Sequence, residues 1–488
     1  MMAEPVHRHV DFTAWRAAAE ALGRGEGELL ALFGDDNCVH MVVRDPVTGG
    51  VERMMVVTSN GRYPSVGAHH TPAIRLERTI RDLFGYDPEG LPDTRPWLDH
   101  GAFEISAPLA AKGAARKQST YEFLTSEGEG LHQIPVGPVH AGIIEPGHFR
   151  FTANGETVVR LEQRLGYVHK GVESLMQGAT LERAAQLAGR VSGDSTVAYQ
   201  FAFARAAEIA IDLEVPARAS QLRGLMAELE RIANHLGDIG AICNDASFVL
   251  IHAHCGILRE TVLQAADFCF GHRLMCDCIV PGGIANDLSE EGIARLRELV
   301  AEVGPRFKEL FEYYDGTTSL LDRTVTTGIV GSELVRRFAP GGFVGRAAGR
   351  KFDARRDLTY RPYDQLAFRV PDYTASDVDA RLRVRADEIA ASLSLISQIV
   401  DALIAEEVSV DLPATRHAGE GMAIVEGFRG DILVYLRLAP DGTVARCHPR
   451  DPSWFQWPLL EAAIEGNIVA DFPLCNKSFN CSYSGHDL

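Results

Sequence analysis

The sequence predicts an α+β protein in which a small amino-terminal α+β domain precedes a larger, mainly helical domain with small β-sheets at its beginning and end. Three observations predict this class. Short strand-like runs rich in Val and Met lie near the amino terminus, long segments with helical spacing fill the middle, and strand-like runs return near the carboxyl end. The length of 488 residues, with 46% hydrophobic and 23% charged residues, fits two or three domains.

The first elements alternate between helix and strand. Helical spacing predicts a helix over residues 12–32. Strand-like runs at 39–43 and 53–57 flank a turn rich in Gly, which predicts a hairpin. A second helix is predicted over residues 74–86 and is expected to close at Gly85.

Residues 106–136 are rich in Ala, Lys, Ser and Gly and show little periodicity, which predicts a linker. The domains on either side are therefore predicted at residues 1–105 and 137–488. The larger domain begins with strand-like segments at 142–152 and 156–161. Its predicted helices lie at residues 179–211, 217–245, 247–277, 288–312 and 374–406. Its last predicted elements are strands at 421–427 and 432–438 and a helix over 454–465.

Composition excludes several functional classes. The 48 Lys and Arg against 66 Asp and Glu give a net charge of −18, which predicts no nucleic-acid partner. Nine scattered cysteines do not suggest a disulfide framework. No stretch is long and apolar enough to cross a bilayer, so no transmembrane segment is expected. The expected location is peripheral, on the cytoplasmic side of the inner (plasma) membrane.

Several motifs then follow one another in a characteristic order. They are GPVHAGIIEPGHFRF at 137–151, GYVHKGVE at 166–173, ELERIANHL at 228–236, PGG at 281–283 and RHAGEG at 416–421. Together they resemble the large subunit of the membrane-bound [NiFe]-hydrogenases of the formate hydrogenlyase type, a homologue of the quinone-site subunit of respiratory complex I. The amino-terminal unit resembles the thirty-kilodalton-type chain of complex I, through residues 76–85 and 93–95.

The resemblance also exposes a departure. The family supplies four thiolates to a [NiFe] centre as two Cys-x-x-Cys pairs, whose positions here hold Ser192, Ser195, Ser482 and Gly485. Hydroxyls are poor ligands for soft, low-valent metals, and glycine offers no side chain. We therefore expect no nickel–iron centre, no metal site and no cofactor in this chain. A [4Fe–4S] cluster is expected in a partner subunit, because no cysteine set here is spaced to hold one.

In complex I the vacated cavity receives a quinone, and the resemblance implies the same possibility here. Complex I has a tyrosine at the position of Gly193, so Tyr199, about one helical turn past Ser195, is the candidate donor together with His148. Asp194 is the candidate proton relay, and Glu145 a candidate proton carrier. Candidate lining residues of the cavity are His140, Ser192, Ser195, Tyr483 and His486.

Structural roles remain open for each of these residues. Glu145 and His148 could stabilise a buried loop by pairing with an arginine, and Tyr199 could be a core aromatic side chain. Asp194 could cap a helix. The tail residues could simply pack the carboxyl end.

Two functions follow. In the first, the chain is a catalytic-arm subunit of a complex I-like oxidoreductase that passes electrons from a partner iron–sulfur subunit to a quinone or similar acceptor. In the second, it is a redox-silent coupling or scaffold subunit of an ion-translocating complex. The resemblance implies as partners an iron–sulfur small subunit, a ferredoxin-like iron–sulfur subunit, and antiporter-like and quinone-channel-like membrane subunits.

Overall fold

The computed structural model describes residues 6–101, 103, 105–110, 121–139, 144–413 and 417–488. The amino-terminal elements are β1 Val6–Val10, α1 Phe12–Arg24, β2 Glu28–Asp35, β3 Cys38–Arg44, β4 Val51–Val57, β5 Arg62–Pro64, α2 Ile74–Phe84 and β6 Asp87–Glu89. The first four strands form one sheet in the order β1-β4-β3-β2. The predicted hairpin is confirmed, since β3 pairs antiparallel with β4, and α2 ends at Gly85 as predicted.

The helix predicted over residues 12–32 is wrong in its second part. Gly25, with a left-handed φ of 78°, caps α1, and the chain turns into β2 three residues later. Residues 29–32 are buried in that strand, which pairs with β3. Their apolar run fits a strand buried on both faces as well as a helix, because periodicity alone does not separate the two.

A second sheet follows, made of β7 Leu131–Val136, β8 His148–Asn154 and β9 Thr157–Arg164. The end of the predicted linker is therefore a strand, since β7 pairs antiparallel with β8 over six residues. The apolar alternation in this segment is too weak to indicate a strand, and pairing with β8 is what fixes its extended backbone.

Helices dominate the next part of the chain, as predicted. They are α3 Val172–Met176, α4 Leu181–Ala188, α5 Thr196–Ala210, α6 Ala217–Asp245, α7 Val249–Phe270, then β10 Ile279–Val280, β11 Gly283–Ile284, and α8 Glu290–Gly316, α9 Thr318–Thr324, α10 Ser332–Phe338, α11 Gly342–Ala347, α12 Ala354–Asp357 and α13 Val378–Asp401. The helix predicted over residues 179–211 is interrupted, because a turn at 189–195 separates α4 from α5. That turn carries Ser192 and Ser195.

The carboxyl-terminal part returns to strands. The elements are β12 Gly419–Gly427, β13 Gly430–Leu438, β14 Val444–Arg450, α14 Ser453–Ala463, α15 Phe472–Phe479 and α16 Tyr483–Asp487. The sheet order is β12-β13-β14, and α5 packs against β12 and β13. The predicted α+β class is thus confirmed, although β14 and the last two helices were not predicted.

The two ends of the chain share one interface. Arg450 Nε donates to the carbonyl of Leu30 at 2.7 Å, and Arg446 Nε donates to that of Gly34 at 3.0 Å. Arg437 forms an ion pair with Asp35 at 2.6 Å. Strand β2 is therefore fixed by arginines that lie about four hundred residues later in the chain. Within the part of the chain that the structure describes, no helix is long and apolar enough to cross a membrane.

Candidate functional site

The turn between α4 and α5 meets the start of α16. Ser192 Oγ lies 2.9 Å from Ser482 Oγ, and the backbone N–H of Gly485 donates to Ser482 Oγ at 2.9 Å. The two segments that hold the family's ligand positions therefore lie side by side, although they are separated by 290 residues.

An ion pair lies beside these hydroxyls. Arg429 donates to both carboxylate oxygens of Asp194, at 2.7 and 2.5 Å, and to Ser195 Oγ at 3.2 Å. Ser192 and Ser195 also donate to Asp194, at 2.9 and 3.3 Å. We call Ser192, Asp194, Ser195, Arg429 and Ser482 the site cluster.

The two partners of this ion pair differ in exposure. The Asp194 side chain is 37% exposed, whereas that of Arg429 is 5% exposed. Partial burial raises the pKa of Asp194, but Arg429 and the serine hydroxyls outweigh it and the pKa lies below its ordinary value. Asp194 is therefore an anion at neutral pH.

Tyr199 lies deeper, fully buried in α5. Its hydroxyl donates to Asp451 Oδ2 at 2.5 Å, and burial together with this carboxylate raises the pKa of the phenol well above its ordinary value. A Cβ atom on Gly485 would lie 2.4 Å from the same Asp451 oxygen. The carboxylate of Asp451 thus occupies the space next to the fourth ligand position.

His148 and Glu145 have other partners. His148 Nδ1 lies 3.3 Å from the carbonyl of Gly137, and Arg150 Nε donates to His148 Nε2 at 3.4 Å. Burial lowers the pKa of His148. Glu145 accepts a hydrogen bond from the N–H of Ser484 at 3.0 Å. These contacts hold the loop before β8 and the tail, and they do not link His148 to the Tyr199 hydroxyl.

The tail residues are packed. His486 is fully buried, with Nδ1 2.8 Å from Asp487 and its ring stacked on Trp454 at 3.8 Å. Trp97 Nε1 donates to His486 Nε2 at 3.3 Å. Tyr483 packs edge-on against Trp457 at 4.8 Å. The Trp97–His486 hydrogen bond links the carboxyl end to the amino-terminal domain, and the other contacts lie within the carboxyl-terminal part. His140 lies outside the described residues.

A narrow cleft borders the exposed side of Asp194. Its lining residues are Gly193, Asp194, Leu229, Glu230, Ala233, Asn234, Arg259, Val262, Leu263, Ala266, Arg273, Leu274 and Met275. Helices α6 and α7 form the walls, and most of the side chains that they place in the cleft are apolar. The volume of about 20 Å³ is room for about one water molecule.

Glu230 is the residue in this cleft that sequence reasoning missed. Its carboxyl is buried and accepts hydrogen bonds from the N–H groups of Val197 and Ala198, at 2.7 and 3.1 Å. Burial outweighs these bonds and raises the pKa of Glu230 to about 8. Glu230 lies inside the motif at 228–236, so this motif was the one feature of the sequence that could have indicated it as a site residue.

The donor set does not fit a [NiFe] centre. The four positions offer three hydroxyls at most, the hydroxyls of Ser192 and Ser195 are bonded to Asp194, and Arg429 places a cation beside them. Elsewhere in the described ranges, Asp35, Cys38 and His40 have ligand-type atoms within 4.8 Å of one another. Asp35 is held there by Arg437, and burial raises the pKa of the Cys38 thiol to about 12.

Comparisons with known proteins agree with this architecture. The family model described as "Respiratory-chain NADH dehydrogenase, 49 Kd subunit" matches residues 251–418. Formate hydrogenlyase subunit 5 of Escherichia coli is 30% identical over 447 residues, which is 89% of this chain and 78% of that protein. The C/D-type subunit of the NADH-quinone oxidoreductase of Bacteroides fragilis is 27% identical, and the match covers 87% of this chain and 86% of that protein.

A solved structure has the same fold. A chain of the membrane-bound sulfane sulfur reductase, an archaeal respiratory membrane complex, superposes with a TM-score of 0.70 at 23% identity. The match covers 75% of this chain and all of that one.

Proposed function

Since the chain belongs to the family of large subunits shared by the formate-hydrogenlyase-type hydrogenases and the respiratory NADH–quinone oxidoreductases, we propose that it is a peripheral-arm subunit of a membrane-bound, complex I-like oxidoreductase without a [NiFe] centre. In this proposal, electrons pass from an iron–sulfur cluster of a partner subunit to a quinone or a similar small acceptor. In this proposal the chain itself lies peripherally, on the cytoplasmic side of the inner (plasma) membrane.

The site cluster is the observation that carries this proposal. Three serines and a glycine stand where the resemblance places four thiolates, and Asp194 and Arg429 form an ion pair beside the serine hydroxyls. These groups bind one another and hard or polar ligands, not soft metals. The chemistry that remains for this position is proton transfer and hydrogen bonding.

The cleft beside Asp194 is the proposed acceptor position. The apolar side chains of its helical walls suit a quinone ring, and its polar lining residues are Asp194, Glu230, Asn234, Arg259 and Arg273. Reduction of a quinone to a quinol takes up two electrons and two protons. The partner's cluster supplies the electrons, and Glu230, with a pKa of about 8, supplies one proton and is reprotonated from solvent, which also supplies the second proton. The cleft must widen to admit the ring, because it now holds about one water molecule.

Partner subunits complete the arrangement. Helix α7 exposes Leu250, Ile257 and Phe268 by 51%, 51% and 62%. Their spacings of 7 and 11 residues place them along one face of the helix, and an apolar face of this kind fits a surface that another chain covers. The proposed partners are an iron–sulfur small subunit, a ferredoxin-like iron–sulfur subunit, and antiporter-like and quinone-channel-like membrane subunits.

A second function is favoured by a separate observation. The hydroxyls of Ser192, Ser195 and Tyr199 all donate to carboxylates within the fold. Each of these hydroxyl groups therefore already donates its hydrogen to an acceptor within this chain, not to a ligand. This pattern fits a redox-silent coupling or scaffold subunit, in which the former metal position is a structural plug.

Glu230→Gln in the intact complex separates the two functions. The complex is purified through a tagged chain from mildly solubilised membranes, and its subunits are identified by mass spectrometry. If Glu230 donates the proton, quinone reduction falls by about 100-fold or more while the set of subunits stays the same. The matched control is Glu302→Gln, which removes an exposed glutamate paired with Arg306. Unchanged quinone reduction in the Glu230→Gln complex, or purification without any iron–sulfur partner, would leave the scaffold function in its place.

A further inference from the structure

A second group of buried charges lies away from the site cluster, between α6, α11, α12, α13 and β12. Its carboxylates are Glu228, Asp353, Glu388 and Glu426. Its cations are Arg231, Arg346 and Arg355, and His235 is its one imidazole. Ion-pair distances of 2.7 to 3.9 Å connect all eight side chains. Each residue is at most 1% exposed. We call this group the core cluster.

The charges of the core cluster do not balance. Four carboxylates against three guanidiniums leave one negative charge if every group has its ordinary ionisation and His235 is neutral. A buried charge without a partner is strongly unfavourable, and a carboxyl group in that position takes up a proton instead. The neighbouring cations do not correct the difference, because among the described residues none of them forms an ion pair with a carboxylate of the cluster: Arg385 pairs with Asp238 at 3.0 Å, Arg450 pairs with Asp431, and Arg205 donates to the carbonyl of Ile424 at 2.9 Å.

His235 is the neutral member. Its Nε2 lies 2.7 Å from Glu388, and its Nδ1 has no hydrogen-bond partner among the described residues although it is buried. An imidazolium would carry a second N–H at Nδ1, which would have no acceptor there. Burial also lowers the pKa of His235. The missing positive charge is therefore not on this side chain.

Three of the four carboxylates each lie within 3.9 Å of two guanidiniums of the cluster. Glu228 accepts hydrogen bonds from Arg355, Tyr363 and Ser392, at 3.0, 2.6 and 2.6 Å. The two carboxylate oxygens of Asp353 accept hydrogen bonds from Nε and Nη2 of Arg355. Glu388 lies 2.7 Å from Arg346 Nε and 3.9 Å from Arg231, and its second oxygen lies 2.7 Å from His235 Nε2.

Glu426 is the carboxyl with the fewest cationic contacts. Its one cationic contact within the described residues is Arg346, at 3.0 Å, which it shares with Asp353 and Glu388. Its other oxygen accepts the N–H of Ala354 at 2.8 Å. We propose that the core cluster is a proton-binding site that holds one exchangeable proton on Glu426 in the folded chain. Burial and the nearby Asp353 raise the pKa of Glu426 to about 7, in agreement with this assignment.

A hairpin turn joins this proton site to the site cluster. Glu426 lies near the end of β12 and Arg429 precedes β13, and Arg231 fixes the turn by donating to the carbonyls of Glu426 and Gly427 at 2.8 and 2.9 Å. Only Gly427 and Phe428 separate Glu426 from Arg429, so the proton site is a near neighbour of the site cluster along the chain. Binding of the proton does not depend on the proposed oxidoreductase function.

Proton release on unfolding of the full-length chain tests the proposal. At pH 6 a glutamate in the unfolded chain is mostly ionised, so unfolding in urea, followed with a pH indicator in weak buffer, releases the proton of Glu426. We expect Glu426→Gln to release about one proton fewer per chain than the unaltered protein. The control is Glu173→Gln, another buried glutamate, which pairs with Arg446 at 3.1 Å; Arg446 and His448 lower the pKa of Glu173 to about 2, so this variant should release as many protons as the unaltered protein.

Infrared spectroscopy of the folded protein is a second measurement that needs no change at Glu426. A protonated buried carboxyl has a C=O stretch distinct from that of a carboxylate. Because Glu77 and Glu230 also have raised pKa values, the spectra are recorded on the Glu77→Gln/Glu230→Gln chain, in which we expect the stretch of Glu426 to disappear as the pH rises from 6 to 8. Equal proton release from Glu426→Gln and the unaltered chain would overturn the proposal. If the variant does not fold, the absence of a protonated carboxyl that titrates in this range would overturn it. Neither measurement requires a partner or a quinone, so failure here is distinct from failure of the proposed function.

Discussion

The site cluster and the core cluster both contain charged side chains inside the protein, but they differ in exposure to solvent and in the balance of positive and negative charges. In the site cluster one carboxylate faces one guanidinium, and the Asp194 side chain keeps 37% of its surface exposed. In the core cluster every member is at most 1% exposed and the carboxylates outnumber the guanidiniums. The difference indicates that solvent access and charge count, not the residue types, decide which cluster needs a proton.

Removal of one arginine from each cluster is the strongest test of this contrast. Arg355→Met leaves Asp353 and Glu228 without their closest cation in a dry environment, and should lower the free energy of unfolding by about 3–5 kcal/mol. Arg429→Met leaves Asp194 in contact with water, and should cost less, about 1–3 kcal/mol. Urea denaturation at pH 7 measures both values. Equal losses would show that exposure of Asp194 does not matter.

The pH dependence of stability distinguishes the two clusters next. The pKa of Glu426 is raised from its ordinary 4.5 to about 7, so its contribution to folding is present below pH 4.5 and is lost as the pH rises toward 7 and above. Glu426→Gln should abolish a fall of about 3 kcal/mol over this interval. Asp194→Asn should leave that fall in place. Urea midpoints from pH 4.5 to 8 provide the measurement, and an unaltered slope in Glu426→Gln would contradict the assignment.

Two glycines test how tightly the former metal position is filled. Gly485→Ala places a methyl group 2.4 Å from Asp451 Oδ2, and should cost about 1–3 kcal/mol in thermal or urea unfolding. Gly193→Ala meets nothing within 4 Å and should change stability by less than about 0.5 kcal/mol. A neutral Gly485→Ala would mean that the position still has room for a ligand.

The smallest expected difference concerns single hydroxyl groups. Ser192→Ala removes the link between Asp194 and Ser482, and Ser392→Ala removes a donor to Glu228. Each should cost about 1 kcal/mol, because the carboxylate keeps its other donors. A much larger loss in Ser392→Ala, seen in the same urea assay, would mean that the core cluster has no spare donors.

The sequence predicted the architecture better than the site. The long helices were visible because their apolar positions recur with helical spacing, and α6 has the bounds predicted for it, 217–245. The resemblance indicated that Ser192 and Ser482 belong to one site, but not that Arg429 lies beside them. Its partner Asp194 is 235 positions away, and no local pattern marks an ion pair of that separation.

The error in the predicted helix over residues 12–32 also comes from contacts between residues that are distant in the sequence. Residues 29–32 form a strand because β3 and the distant arginines Arg446 and Arg450 bind the backbone groups of β2, and none of the arginines is near in sequence. The proton-donor assignments of His148 and Tyr199 remain predictions. Their partners in the structure, Arg150 and Asp451, show what holds them in place.

The interface between β2 and the carboxyl-terminal strands has a consequence for how the chain folds during synthesis. Arg446 and Arg450 leave the ribosome long after Leu30 and Gly34, so the carbonyls of β2 lack these donors for most of translation. Contacts of such separation close slowly, since a long loop must be ordered first. We therefore expect the edge of the amino-terminal sheet at β2 to stay uncovered until the last strands have been synthesised.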